Sequence, residues 1–475
     1  MNKNIKRLIL QILNIVLTII LIYLFTTHHN LSKITIRSVS ALGLVILFAQ
    51  IFQFLILKIK FYDFRVWFIL LFNLFLLGRI YIMYFNPNYN FFWIQFNQYP
   101  IGLILKTIFY SVVVGQVFFT SFLFFNNRPI RYKFINNFID DKRFIYRVGI
   151  IMFVISFPFR LFIDIIFIIR VQASGSFLSV EAWSGISDIL ATFFVPSIIF
   201  LLNSVEKNKR KSILILSILY FVLVMALTGD RRYQTTGIIA ITLSYFVLKN
   251  NKLKFWNFVK LSVFAYLGLT FLVILRNVRS GSINDIDVIF SKIQTLSYGF
   301  DIIIETMSEF GLSFFSLLAI IQHIPANYPY LNGLSFYGSI LSLLPVGWLF
   351  GDFFKVVSIS YTINKFPGGY PVGATIAGDF YANFGSLSFI FIFIFGLFLS
   401  KIFNLPSKSD KQFHYSLSIY FSLFYVLINL VRASFFEVFR ASIYIYIVPI
   451  VIGFVFYNFV NRGNLNENSY SNALQ

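Results

Sequence analysis

The sequence contains no cysteine. This excludes a disulfide framework, a thiolate metal site and a cysteine nucleophile. Histidine is nearly missing too, with four residues in the chain, which leaves little for metal chemistry. Charge is sparse. Only 12% of residues are charged, against roughly 25% in an ordinary soluble domain. Acidic groups are the rarest, 18 against 39 lysines and arginines. No P-loop, GxSxG, HExxH or Rossmann fingerprint occurs. Neither does an internal repeat of the kind that builds the inverted halves of transporters.

What remains is apolar. Hydrophobic residues make up 58% of the 475, and 64 of them are phenylalanine. A water-soluble core cannot hide so much apolar surface, because a folded globule always leaves a large exposed area. Lipid resolves the conflict. The chain is therefore expected to be an all-α, polytopic integral membrane protein, not a soluble enzyme. The net charge of +21 then has a simpler source than nucleic acid, which we exclude as a partner. Lysine and arginine accumulate on the cytoplasmic side of membrane proteins.

A helix needs about 20 mostly apolar residues to cross a bilayer. Such spans read near 8–25, 38–57, 66–85, 101–125, 148–169, 184–203, 212–228, 235–248, 259–275, 386–404, 413–430 and 440–460. The first follows Lys3, Lys6 and Arg7 and has no small-residue cleavage site, so it reads as an uncleaved anchor. Twelve spans put both termini on one side. With the N-terminus in the cytoplasm, inner segments hold 24 lysines and arginines and outer ones 12, the bias that topology demands. The chain divides into nine spans over 1–275, an outer loop over 276–385, and three spans with a short tail over 386–475. The loop carries apolar runs broken by Pro325, Pro329, Pro345 and Gly351. These read as interfacial or re-entrant helices above an outward cavity.

The inner cations are mostly lysine, 16 of 24, and the outer ones mostly arginine, 8 of 12. Topology explains the first set but not the second. Arginine is a rigid fork that grips phosphate or carboxylate through two bonds. Arg231 and Arg232 sit in TGDRRYQTTG, Arg276 and Arg279 in RNVRSG, and Arg432 and Arg440 flank the last outer turn around Glu437. Arg79 falls near the outer end of span three. Together they are placed to line one anionic site. The alternative is local pairing with Asp230, Asp285, Asp287 and Glu437. Arg160 lies inside span five, with Asp164 on the same face four residues on. The pair marks either a functional cavity or a self-neutralising packing contact.

A second patch, GGYPVGATIAGDFYANFG over 368–385, falls just outside span ten. Asp379, Tyr381 and Asn383 there supply an acid, a phenol and an amide. Asp379 is the candidate for accepting a proton from a sugar hydroxyl, with a helix cap or a salt bridge to an outer arginine as the alternative. His323 is a candidate base or a hydrogen-bonding structural residue. Asp285-Ile286-Asp287 has a metal–nucleotide-sugar spacing, but nucleotide sugars are cytoplasmic and this loop is not, so no metal or other cofactor is expected.

The outer loop, the GDRR turn (229–232), LNGLSFYGSILSLLP (331–345) and AGDFYANFG (377–385) resemble the Wzy-type O-antigen and capsule polymerases, the oligosaccharide repeat-unit polymerases. The likeness covers residues 210–400. Asp230 stands within a turn where members favour Gly-Arg-Arg, and Asp379 stands where Glu is common.

The resemblance implies a glycosyltransferase that acts on undecaprenyl-diphosphate-linked oligosaccharide in the outer leaflet of the bacterial plasma membrane. The growing glycan passes from its lipid diphosphate to the non-reducing end of a new lipid-linked unit. Arg232 and Arg279 would then be catalytic, with Asp379 as base. Arg231 and Arg276 would bind diphosphate, and Tyr381, Asn383, Arg432, Arg440, Arg160 and His323 would complete the substrate site. A flippase and a chain-length regulator of the same pathway are implied partners. A lipid-linked oligosaccharide flippase and an O-antigen ligase are the rival functions. A dolichyl-phosphate-sugar type of transferase is disfavoured, because the first outer loop, 26–37, holds no acid.

Overall fold

A computed structural model describes residues 3–27, 35–91, 94–124, 142–174, 185–228, 232–249, 268, 270, 300–344, 351–366, 373–410 and 412–473. All regular structure among them is helical, as the composition requires. The first half comprises α1 (Lys3–Thr27), α2 (Ile36–Ile56), α3 (Phe64–Phe85), α4 (Ile101–Phe122), α5 (Lys142–Ser174), α6 (Ile186–Thr192), α7 (Phe194–Ser204), α8 (Lys207–Thr228) and α9 (Arg232–Lys249). After the residues not described come α10 (Phe300–Phe310), α11 (Ser313–His323), α12 (Leu334–Leu341), α13 (Gly351–Val357), α14 (Ile359–Asn364), α15 (Ile376–Phe384), α16 (Ser388–Ile402), α17 (Phe413–Leu427) and α18 (Phe435–Ala473).

Eleven helical stretches among the described residues are long and apolar enough to cross a membrane. Ten correspond to spans expected from sequence. The eighth expected span forms α9, eighteen residues long and outside that set of eleven. Of the ninth, 259–275, only residues 268 and 270 are among the described residues.

Two features depart from the sequence reading. Asp301–His323, assigned to the outer loop, is long and apolar enough to cross, although α10 and α11 are separated at Gly311–Leu312. The last outer motif also joins a crossing stretch, Ile376–Ile402. There α15 runs through a 3-10 turn at Gly385–Leu387 into α16. Both runs are interrupted by glycine or turn residues, which hide a continuous span from a window of hydropathy.

Side-chain polarity registers the helices. Asn14 donates to Gln53, Gln116 to Asn14, and Gln50 to Gln116, at 2.6, 2.9 and 3.0 Å. Thr18 and Thr120 hydroxyls meet at 2.8 Å. This buried amide chain ties α1, α2 and α4, where hydrophobicity has no preference among partners in lipid. The α3–α10 crossing uses glycine instead. A Cβ at Gly78 would sit 2.9 Å from the Met307 carbonyl oxygen, and one at Gly311 would sit 2.7 Å from the Arg79 backbone nitrogen. Only glycine allows that approach.

The two ends of the bundle differ. At one end Lys60, Arg210 and Lys408 are neighbours, and His414 feels Lys142, Arg210 and Lys408. Partial burial, with repulsion from Lys60 and Arg210, holds the Lys408 ammonium below the usual lysine range. Arg7 donates to the Leu123 carbonyl at the end of α4, and Gly453 of α18 packs on Phe144 at the start of α5. The two chain ends therefore lie towards this basic end.

Arg79 does not line an outward anionic site. It is fully buried and donates to the carbonyls of Ser308 and Ile94 at 2.6 and 2.7 Å. Its guanidinium lies over Phe91 and Phe315, 5.0 and 5.4 Å from the ring centroids. It clamps α10 and α11 to α3. Arg79→Ala should lower stability in detergent by about 3 kcal/mol through two orphaned carbonyls. Arg79→Lys should not restore it, because an ammonium lacks the planar fork. Thermal unfolding checks this. An unchanged melting temperature with lost activity would contradict the clamp.

Candidate functional site

At the end opposite the lysines, α18 begins. Its first turn needs partners for N–H groups that no helical carbonyl serves. Ser434 and Glu437 form a capping box. The Ser434 N–H donates to Glu437 Oε2 at 3.2 Å, and the Glu437 N–H donates to Ser434 Oγ at 3.4 Å. The Phe435 N–H donates to Asp379 Oδ2 at 2.7 Å. Asp379 thus caps a helix that starts 56 residues later.

Asp379 has no exposed surface. Its other oxygen accepts from Ser335 Oγ at 2.7 Å and Asn383 Nδ2 at 3.0 Å. Asn383 also donates to Ser335 Oγ at 2.7 Å and accepts from the Gly333 N–H at 2.9 Å. Two backbone bonds, Leu331 N–H to Ala382 O and Asn332 N–H to Asn383 O, complete the knot. Asn332 and Gly333 both take positive φ, +47° and +88°, so the chain can reverse into α12. Gly378 allows Ile320 to approach and Gly385 allows Tyr330. These contacts account for the glycines of AGDFYANFG.

Tyr381 is buried and meets Tyr110 edge-on at 5.1 Å. Tyr110 in turn bonds Ser388 at 2.9 Å. His323 is buried, stacks on Phe366 at 4.5 Å, and pairs its Nδ1 with the Asn327 amide at 3.2 Å. All four of Asp379, Tyr381, Asn383 and His323 are thus placed as internal fastenings. For Asp379 the capping alternative is the one the geometry follows. To act as a base it would have to be uncovered, since it has no exposed surface and already accepts from three donors.

Accessible polarity lies one step further out. Glu437 is exposed and accepts from Ser360 Oγ on α14. Ser360 accepts from the Ala374 N–H at 3.2 Å. Arg432 is half-buried, with its guanidinium 5.7 Å from the Phe75 ring centroid. Arg440, also half-buried, lies three residues beyond Glu437 on α18. Asp188 on α6 is within electrostatic reach of both Arg440 and Arg160.

Arg160 grips Asp164 through two bonds, 2.9 and 2.6 Å, and Tyr220 donates to the same carboxylate. The Arg160 side chain keeps 16% of its surface and Asp164 keeps 6%. Arg160 and Arg440 are thus both within electrostatic reach of Asp188, and Arg432 lies in the turn before α18 with its guanidinium near Phe75. Arg231, Arg276 and Arg279 lie outside the described residues. Arg232 opens α9, and its side chain is not among those described.

Ser335, Ser360, Glu437 and Asp188 are the site residues that sequence reasoning passed over as actors. The S-x-x-E spacing of Ser434 and Glu437 signals a helix start. An acid at 188, inside an expected span, is a signal of its own. Nothing local marks Ser335 or Ser360.

Replacing either Arg160 or Asp164 alone leaves one buried charge unpaired, a loss of about 3–5 kcal/mol. Arg160→Met and Asp164→Leu should each lower the melting temperature, and the double variant should recover it. A double variant no more stable than the singles would show that the pair does more than neutralise itself.

The family profile described as O-antigen polysaccharide polymerase Wzy matches residues 9–464, nearly the whole chain. No curated protein and no solved structure gives a match. The match favours neither the flippase nor the ligase reading.

Proposed function

The chain belongs to the O-antigen polysaccharide polymerase Wzy family, and from that premise we propose how and where it works. It is a multi-pass membrane protein that polymerises O-antigen repeat units. The donor is a growing glycan on undecaprenyl diphosphate. The acceptor is the non-reducing sugar of a new lipid-linked unit. The reaction takes place at the end of the bundle where α18 begins, facing outward from the bacterial plasma membrane, with both termini in the cytoplasm.

One observation carries the placement. Cations at one end of the bundle are lysine-rich and cluster with one another, as the cytoplasmic rule expects. At the other end, arginines alternate with carboxylates near the start of α18, which carries the exposed Glu437. Arg440, Asp188 and Arg160 make that arrangement on α18, α6 and α5.

The chemistry follows from the leaving group. When the sugar C1–O bond breaks, negative charge develops on a lipid diphosphate. Preorganised guanidinium groups stabilise such charge without having to reorganise in the transition state. We assign this role to Arg231, Arg232, Arg276 and Arg279, and no metal is required for it. Arg432 and Arg440 extend the cationic surface. Tyr381, Asn383 and His323 hold the walls of the site. Apolar grooves between the helices take the polyprenyl tails, and the flippase and chain-length regulator of the pathway work beside it.

Gene deletion with complementation tests the reading. Deleting the gene in its polysaccharide-producing host should abolish the glycan ladder and leave single capped repeat units. Wild type should restore the ladder, while Arg232→Ala and Arg279→Ala should not, at equal protein level. Complete loss of surface glycan, with lipid-linked units trapped inside, would contradict the polymerase reading in favour of transport. A full ladder from both variants would contradict the diphosphate clamp.

A further inference from the structure

We propose that one ordered water molecule is a resident ligand of the bundle core, bound between α2, α3 and α4, where it donates to Gln50 Oε1 and joins the buried amide chain to α3. A small cavity of about 10 Å³ lies there, its lining including Gly43 and Gln50 of α2, Asn73 of α3, and Ser111 and Gly115 of α4. That is about the space one water requires. It has no room for a sugar, a phosphate or a polyprenyl tail.

The direction of the amide chain identifies its free end. Asn14 Nδ2 donates to the Leu10 carbonyl at 2.7 Å, and a backbone carbonyl only accepts. Asn14 Oδ1 is therefore an acceptor, so the group that meets it at 2.9 Å is Gln116 Nε2. Gln116 Oε1 then faces Gln50, and Gln50 Nε2 must be the donor to it, at 3.0 Å. The network thus fixes which way each amide points. Gln50 Oε1 is left over. It has no hydrogen-bond partner among the described residues, and Gln50 keeps only 2% of its surface. All three helices belong to crossing stretches, so lipid cannot serve that oxygen.

The other polar groups of the lining have their protons committed. Ser111 Oγ donates to the Thr107 carbonyl at 2.9 Å. Asn73 Nδ2 donates to the Ile69 carbonyl at 2.9 Å, and Asn73 Oδ1 accepts from the Tyr81 hydroxyl at 2.7 Å. What remains are acceptor positions on Gln50 Oε1, Asn73 Oδ1 and Ser111 Oγ. The ligand must therefore donate. A cation would also satisfy oxygens, but no acid is among the lining residues, and an uncompensated charge inside a membrane bundle is costly. Water is the neutral donor that fits. One hydrogen goes to Gln50 Oε1 and the other to Asn73 or Ser111, which meets the minimum of roughly two bonds for a buried water. Through it α3, which carries the Arg79 clamp, is keyed to α1, α2 and α4.

The test is a cryo-EM map of the full-length protein in lipid nanodiscs, at a resolution that shows ordered water, together with a double-mutant cycle read as melting temperature. The map should show one peak within hydrogen-bonding distance of Gln50 Oε1. A dry cavity would overturn the proposal. So would a peak that strengthens with added sodium, which would assign a cation instead. In the cycle, Ser111→Val fills the cavity and Ser111→Ala does not. With the water displaced and Gln50 Oε1 orphaned, the valine protein should melt below the alanine protein. In a Gln50→Leu background, which has no oxygen to orphan, that difference should disappear. Valine melting above alanine with Gln50 in place would reveal a dry void that packing improves, against the proposal. An equal valine penalty in both backgrounds would show steric crowding alone and would overturn it as well.

Discussion

In a region poor in water, the first N–H groups of a helix are a problem that lipid cannot solve. Each one left unsatisfied there costs several kcal/mol. For α18 the solution comes from a distance. Asp379 reaches the Phe435 N–H from α15, and Ser434 and Glu437 serve each other. Because Asp379 is also held by Ser335 and Asn383, the starts of α12 and α18 and the body of α15 share one set of bonds. Aromatic packing surrounds the knot. Phe336 lies 5.0 Å from both Phe380 and Phe435, so water is kept from the carboxylate and its bonds strengthen.

That fastening sets what this end of the bundle can do. Glu437 and Arg440 project from a helix whose start cannot drift. Asp188 is within electrostatic reach of Arg440 and of Arg160, which belongs to the Arg160–Asp164–Tyr220 group on α5 and α8. The deep motif and the accessible site are therefore separate layers. Buried polar residues hold the geometry, and the charged residues Glu437, Arg440 and Arg432 near them are exposed or half-buried.

Much of this was legible in the sequence. Apolar windows located ten of the eleven crossing stretches, because each is a long run with few breaks. Windows did not reveal Asp301–His323, which is interrupted at Gly311, or the addition of 376–384 to α16, because glycine and turn residues lower the local signal. The motif AGDFYANFG was recognisable, but its burial was not. Asp379 meets partners 44 and 56 residues away, and no local pattern encodes such pairs. Arg79 was likewise visible as an arginine near a span end, whereas the two carbonyls and two rings that enclose it come from residues 91, 94, 308 and 315. The Ser434–Glu437 capping box, by contrast, is a four-residue signal that can be read directly.

Hydrogen exchange in the Asp379→Ala protein, followed by mass spectrometry of its peptides, tests the shared fastening most directly. Loss of the carboxylate should raise exchange together in peptides covering 331–339 and 433–440, with α1, α2 and α4 unaffected. Faster exchange confined to 376–384, or none at all, would contradict the claim that this one side chain holds the outer end together.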